Sequence, residues 1–191
     1  MNNPKSISLV FPLYRDKSTV KTMISKSLKI LKKTQKKFEI IIIDDGCPEN
    51  SGKIAQSYAK KYPYVKIFFH KKNLGYGAAI KTGIKQSKYE CIFLIDGDNE
   101  YNVNDLPRML KKFKNNDLVI TYRYKNKNKI KRIFISYVYN LIIRLLFKTS
   151  FKDISVGSKL ISKQLKNKII LKSNSPFVNA ELAIKSKYYG Y

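Results

Sequence analysis

The chain of 191 residues carries 39 Lys and Arg against 13 Asp and Glu, a formal net charge of +26. That length suits one domain with a sizeable core, and 43% hydrophobic with 13% aromatic content excludes global disorder. The charge fits nucleic acid, an anionic membrane surface or a phosphorylated substrate as partner, although the joint abundance of Lys, Asn, Ile and Tyr is also what drift in an AT-rich coding sequence produces.

The opening MNNPKSISLVFPLY has no long apolar run before a small-residue cleavage site, so no signal peptide is expected. SISLVF, Ser6 to Phe11, reads as a buried strand. Asp16 and Ser18 are placed to cap a helix whose Val20, Met23, Ile24, Leu28 and Leu31 recur at helical spacing. FEIIIID, Phe38 to Asp44, is a second strand, followed by a helix with Ile54, Ala55, Tyr58 and Ala59 on one face. VKIFFH (Val65 to His70) is a third strand, Gly75 to Ser87 a small-residue helix, and CIFLID a fourth strand. Asn104 is expected to cap a helix carrying Leu106, Met109, Leu110 and Phe113, and DLVITY (Asp117 to Tyr122) is a fifth strand. A basic loop, RYKNKNKIKR, then leads into an apolar stretch that reads as an amphipathic helix from Ile130 to Lys148. Its most apolar part, Ile133 to Phe147, is shorter than the ~18 residues of a spanning helix and is interrupted by Arg144, so no transmembrane segment is expected. A short strand near SKLIS and a last helix opened by Ser175-Pro176 complete the chain. Cys47 and Cys91 make no metal or redox spacing and read as reduced structural thiols of a cytosolic protein.

This alternation predicts an α/β fold with a mostly parallel central sheet and helices on both faces. Ligands of such sheets bind beyond the carboxyl ends of the strands. That rule selects the loops FPLYRD, DDGCPENS and DGDNE, and all three carry acids. Asp96-Gly97-Asp98 places two carboxylates one residue apart with a glycine that permits a sharp turn, an arrangement able to face one cation. Hard divalent ions take one or two carboxylates together with substrate phosphates. Each acid pair alone, Asp96/Asp98 or Asp44/Asp45, could be a capping turn; two of them on one rim suit a metal-bound nucleotide diphosphate. GYGAAIKTG partly matches the dinucleotide fingerprint G-x-G-x-x-G. Ile80 stands at its third glycine, the motif follows the third strand rather than the first, and KKNL intervenes where a tight turn belongs, so nicotinamide binding is rejected.

Taken in order, VFPLYRD, IIIDDGCPENS, NLGYGAAIKTG and FLIDGDNEY resemble the motifs of family-2 glycosyltransferases, and among them those of the polyprenyl- or dolichyl-phosphate sugar synthases. The match is strong from Ser6 to Asp105 and weaker from Leu118 to Leu160. The resemblance implies a nucleotide-diphospho-sugar transferase (GT-A) fold and an inverting, Mg²⁺- or Mn²⁺-dependent hexosyltransferase. Residues 1–191 would be one domain, with 1–122 binding the nucleotide sugar and 123–191 the acceptor. By position, Pro12, Tyr14 and Asp16 would line the nucleotide pocket with Gly75, Asp96 and Gly97, and Asp44 or Asp45 would contact base or ribose. The metal would fall to Asp96, Asp98 and Glu100, the last standing where the subgroup often has Gln. Asp98, Arg123 and Asp153 would be catalytic, and Arg132 is a second candidate for an arginine near the phosphates. Around Asp153 and Gly157, Val156, Ser158 and Lys159 replace the subgroup's small polar, aromatic and Arg residues, which weakens the acceptor assignment.

A lipid-phosphate acceptor is already anionic and needs no general base, whereas a sugar hydroxyl does; beyond the metal cluster only Asp153 and Glu181 are available for that role. The preferred expectation is therefore transfer to polyprenyl phosphate by a cytoplasmic protein held peripherally on the anionic inner face of the membrane, through its basic loop and apolar helix. The alternatives are a saccharide acceptor in surface-polysaccharide synthesis and an inactive homologue truncated at YYGY. Nucleic acid is not expected as a partner, since the charge is spread over most segments without a recognition motif.

Overall fold

The computed structural model describes residues 4–34, 36–122, 130–151 and 153–191, apart from the side chains of residues 130–133. Strands and helices alternate through β1 (Ser6–Leu13), α1 (Val20–Lys33), β2 (Lys37–Asp44), α2 (Ser51–Lys61), β3 (Val65–Phe69), α3 (Tyr76–Gln86) and β4 (Cys91–Leu94). The inner strands are apolar at successive positions because both of their faces are covered. Side chains alternate between faces, so Ile7, Leu9, Phe11 and Leu13 meet Met23, Ile24 and Leu31 of α1. Val10, Ile41 and Ile43 meet Ala79 and Ile80 of α3 on the other face. The small residues of α3 let it lie close to the sheet: a Cβ on Gly83 would fall 2.2 Å from Val10 Cγ1.

The remaining elements are α4 (Leu106–Phe113), β5 (Leu118–Ile120), α5 (Ile130–Phe147), β6 (Lys159–Ser162), α6 (Lys163–Lys168) and α7 (Val178–Tyr188). The six-stranded sheet has the order β3-β2-β1-β4-β6-β5. Its first four members are parallel. β6, the strand expected near SKLIS, inserts antiparallel to both β4 and β5. Two expected caps differ. No side chain caps α1; the Asp16 backbone carbonyl accepts the Thr19 and Val20 amides, while its carboxylate turns back to the Tyr14 amide at 2.9 Å. Ahead of α4 the cap is Asn102, whose Oδ1 accepts the Asn104 amide at 3.0 Å.

α5 is present where the sequence placed it, but its apolar residues do not form one buried face. Asn140 and Ile143 pack inward, whereas Phe134, Leu145 and Leu146 are 66%, 70% and 70% exposed. Among the described residues no helix is long and apolar enough to cross a membrane. Cys47 and Cys91 are both free thiols, as expected.

A buried acid ties the first three strands to the turn before β4. Glu39, 1% exposed, accepts from Ser8 Oγ at 2.7 Å, from the Lys88 amide at 2.9 Å and from Lys66 Nζ at 2.6 Å. Burial alone would raise its carboxyl; the Lys66, Ser8 and Lys88 contacts outweigh burial and hold it below the ordinary value of 4.5. Its contribution to stability is thus fully present above that value and is lost as pH falls through the depressed one. Glu39→Gln should cost about 1–3 kcal/mol at neutral pH, with the deficit relative to wild type shrinking in acid. Urea denaturation of both proteins at pH 7 and well below 4.5 checks it.

Candidate active site

Register sets the site. Leu13 pairs with Asp44, Val10 with Leu94, and the Asp45 and Ile95 amides donate to the Leu13 and Val10 carbonyls at 3.0 Å each. β1, β2 and β4 therefore leave the sheet at one rim, around a cavity of about 450 Å³, within the usual range of small-molecule sites. Pro12, Tyr14, Asp16, Asp45, Gly75, Asp96 and Gly97 line it, with Asp98 and Glu100. Asp44 and Asp153 are not among its walls. Arg123 lies outside the described residues, as does the side chain of Arg132.

The two neighbouring acids Asp44 and Asp45 face different ways. Asp44 Oδ1 accepts the Cys47 amide at 2.7 Å and closes the turn into α2. A Cβ on Gly52 would fall 2.1 Å from Asp44 Oδ2, so the carboxylate is packed under that helix. Asp45 faces the cavity. It accepts from the Leu74 amide at 3.0 Å and the Gly75 amide at 2.9 Å, and from Nδ1 of His70, the chain's one histidine, at 2.6 Å. A carboxylate can only accept, so that nitrogen carries the proton. His70 Nε2 then takes up Thr82 Oγ1 at 3.0 Å on α3. Sequence reading passed over His70 because nothing local marks it; only the β2–β3 pairing brings it to Asp45.

At the end of β4, Asp98 is exposed and its Oδ1 accepts the Glu100 amide at 2.8 Å, across Asn99 at φ 62°. Gly97 is required by close approach: a Cβ there would lie 2.3 Å from the Pro12 carbonyl oxygen. Asp96 Oδ1 accepts Tyr76 Oη at 2.6 Å. Burial pushes the Asp96 carboxyl up to about 6; Asp98 and Glu100 push the same way, against the Tyr76 hydrogen bond and the charge of Lys159. Asp16 is also raised, first by burial and then, against the Tyr14 amide, by the charges of Asp98 and Glu49.

Among the described residues no three His, Cys, Asp or Glu side chains form a group able to hold a metal ion by themselves. The expected set of Asp96, Asp98 and Glu100 is therefore not assembled as a closed cage; one oxygen each of Asp96 and Asp98 is turned to a donor of the protein. What remains fits a hard divalent ion completed by phosphate oxygens: carboxylates that repel one another on one wall of a cavity with room for a diphosphate.

Several neighbours of these acids carried no sequence signal. Asn179 of α7 and Pro176 line the cavity, although the segment they belong to is remote in sequence. Gly75, at φ 97°, and Gly77 are needed for the approach of that segment: Cβ atoms on them would fall 2.5 Å from the carbonyl oxygens of Asn174 and Ser173 respectively. The glycines thus pack backbone on backbone. Glu181 anchors the same segment. It accepts the Lys172 and Ser173 amides at 2.8 and 2.9 Å and Lys185 Nζ at 2.6 Å. Burial opposes, but these contacts hold its carboxyl below the ordinary value. Asp153 Oδ1 accepts Ser155 Oγ at 3.0 Å.

Gly157, between Asp153 and β6, lies against Asp96 so closely that a Cβ would fall 1.9 Å from Asp96 Oδ2. Gly157→Ala should displace that carboxylate and weaken Mn²⁺-supported nucleoside-diphosphate binding by roughly tenfold or more, as when a group behind a metal ligand is disturbed. Isothermal titration of both proteins measures it; unchanged affinity would show that the Asp96 position does not matter for binding.

A family model described as Glycosyl transferase family 2 matches residues 8–171. The dolichyl-phosphate beta-glucosyltransferase of Dictyostelium discoideum is 27% identical over 182 residues, covering 85% of this chain and 56% of that protein. The Homo sapiens protein of the same name is 27% identical over 180 residues, covering 84% and 56%. An uncharacterized protein of Methanocaldococcus jannaschii is 32% identical over 151 residues, covering 72% and 66%. The chain thus spans little more than half the length of the dolichyl-phosphate relatives. Glucosyl-3-phosphoglycerate synthase from Mycobacterium tuberculosis, solved in complex with Mn²⁺, uridine-diphosphate and phosphoglyceric acid, superposes with a TM-score of 0.75 at 16% identity, covering 97% of this chain and 65% of that one. That likeness shows a shared GT-A fold. With the motif order, the fold and a family model over most of its length in agreement, the chain belongs to glycosyl transferase family 2.

Proposed function

We propose that this chain transfers a hexose, with inversion, from a nucleotide-diphospho-sugar to polyprenyl phosphate at a membrane surface. The observation that carries the reading is the acid-walled cavity at the rim of β1, β2 and β4. Asp45 would meet the base or ribose, and Asp96 and Asp98 would hold Mg²⁺ or Mn²⁺ against the donor diphosphate. Such an ion would supply fixed positive charge for the negative charge that grows on the leaving group, favouring the transition state over the ground state. An oxygen of the acceptor phosphate attacks the anomeric carbon from the face opposite the diphosphate; as that bond forms, the carbon–oxygen bond to the nucleoside diphosphate breaks and the pair leaves with it. No proton has to be removed from an anionic acceptor.

Two features support the lipid phosphate. Glu181, nominated as a base, is occupied by two backbone amides and a lysine, and Asp153 stands outside the cavity wall. The exposed Phe134, Leu145 and Leu146 of α5, on a chain of net charge +26, suit an anionic bilayer, where each surface Lys or Arg gains ~1 kcal/mol. The second reading, a hydroxyl acceptor, is favoured by the phosphoglyceric acid bound in a structure of the same fold.

Thermal melts with UDP, GDP, dTDP and CDP, each with and without Mn²⁺, test the donor half. One nucleotide should stabilise the protein only with metal, by ~2.7 kcal/mol at a hundredfold excess over Kd, and Asp98→Ala should abolish the shift. No shift with any of them removes the donor site. Labelled sugar moving from that donor to polyprenyl phosphate in anionic vesicles, but not to free oligosaccharide, decides the acceptor.

A further inference from the structure

The chain buries a lysine completely. Lys159 is 0% exposed on β6, paired in register with Leu94, two residues before Asp96. An ammonium group is among the costliest groups to bury, and an apolar residue would fill an inner strand position at lower cost. Its charge has a destination. Lys159 Nζ donates to Asn179 Oδ1 at 3.0 Å, Asn179 Nδ2 donates to Tyr76 Oη at 3.2 Å, and Tyr76 Oη donates to Asp96 Oδ1 at 2.6 Å.

The direction of every bond in this row is fixed by chemistry. An ammonium only donates, which sets the Asn179 oxygen toward Lys159 and its amide nitrogen toward Tyr76. The phenol has one proton, and the carboxylate can only accept it. Each donor thus points toward Asp96, and bonds aligned in this way polarise one another. On the far side Gly157 closes against Asp96 Oδ2. Lys159 is not among the cavity walls, so it acts on a bound donor from behind Asp96, through this row and through its charge.

We propose that Lys159, Asn179 and Tyr76 are positioning residues that hold the Asp96 carboxylate in its orientation toward the donor cavity, so that β6 and α7 complete the donor site built by β1, β2 and β4. The proposal rests on the donor-site reading above.

The test uses the full chain and Tyr76→Phe, Lys159→Met and the double variant. Binding of UDP, GDP, dTDP and CDP with Mn²⁺ is measured by calorimetry, Mn²⁺ alone by electron paramagnetic resonance, and ligand-free stability by thermal melting. Each single variant should weaken metal–nucleotide binding roughly tenfold or more, and the loss in the double variant should fall short of the sum of the two, because both act on Asp96 through a shared row. Melting points that fall while affinities stay within about twofold, a change worth only ~0.4 kcal/mol, would mark a purely structural network and overturn the proposal; so would losses that simply add. If Lys159→Met does not fold, Lys159→Gln keeps a donor toward Asn179 without the charge and completes the same cycle. Wild type that binds none of the four nucleotides overturns the donor reading and this proposal with it, whereas wild-type binding with unaffected variants overturns this proposal alone.

Discussion

Like charges forced onto one rim are the constraint around which this molecule is arranged. Parallel pairing of β1 with β2 and β4 ends three strands together, and the acids that follow them share a cavity. Repulsion among Asp16, Asp96, Asp98 and Glu100 is visible in the raised carboxyls of Asp16 and Asp96, where it adds to burial. A fold would shed such a cluster unless something gained from it. The surrounding structure holds each acid by a different means: Asp16 on a backbone amide, Asp45 on two amides and an imidazole, Asp96 on a phenol. The acids that support the architecture, Glu39, Asp44 and Glu181, are instead saturated by amides, hydroxyls or lysines away from the cavity.

Much of this was legible in the sequence because the signals were local. Strands β1 to β4 announce themselves as apolar runs, and α1 and α4 as helical repeats, since each depends only on burial of its own side chains. The rim followed from a topological rule and from acids at three strand ends. What was not legible depends on partners distant in the chain. Asp44 and Asp45 are identical neighbours in sequence; a helix packed over one and a loop held by the other separate them. Asn102 rather than Asn104 caps the turn before α4, a difference of two residues between identical side chains. Lys159 registered only as a departure from a motif, because its role comes from Asn179 and Tyr76.

α5 shows a different kind of miss. An apolar helix with interspersed basic residues predicts one covered face, yet only Asn140 and Ile143 are deeply covered among its described side chains. Asn140 is the more telling of the two. Its Oδ1 accepts the Ile154 amide at 2.9 Å, so a polar residue inside an apolar run positions the segment leading to Gly157. Hydropathy alone reads that asparagine as an interruption; in the structure it is the attachment point.

The antiparallel insertion of β6 has a consequence for how the chain is made. β5 reaches the sheet only through β6, so residues 118–120 have no strand to pair with until residues 159–162 have left the ribosome. Until then the outer edge of β4 stays open, a template for mispairing with other nascent chains. The same late strand brings Lys159 to Asn179, and Gly157 just ahead of it lies against the Asp96 carboxylate. The acids of the rim are thus synthesised early, and the pieces that pack against them arrive late.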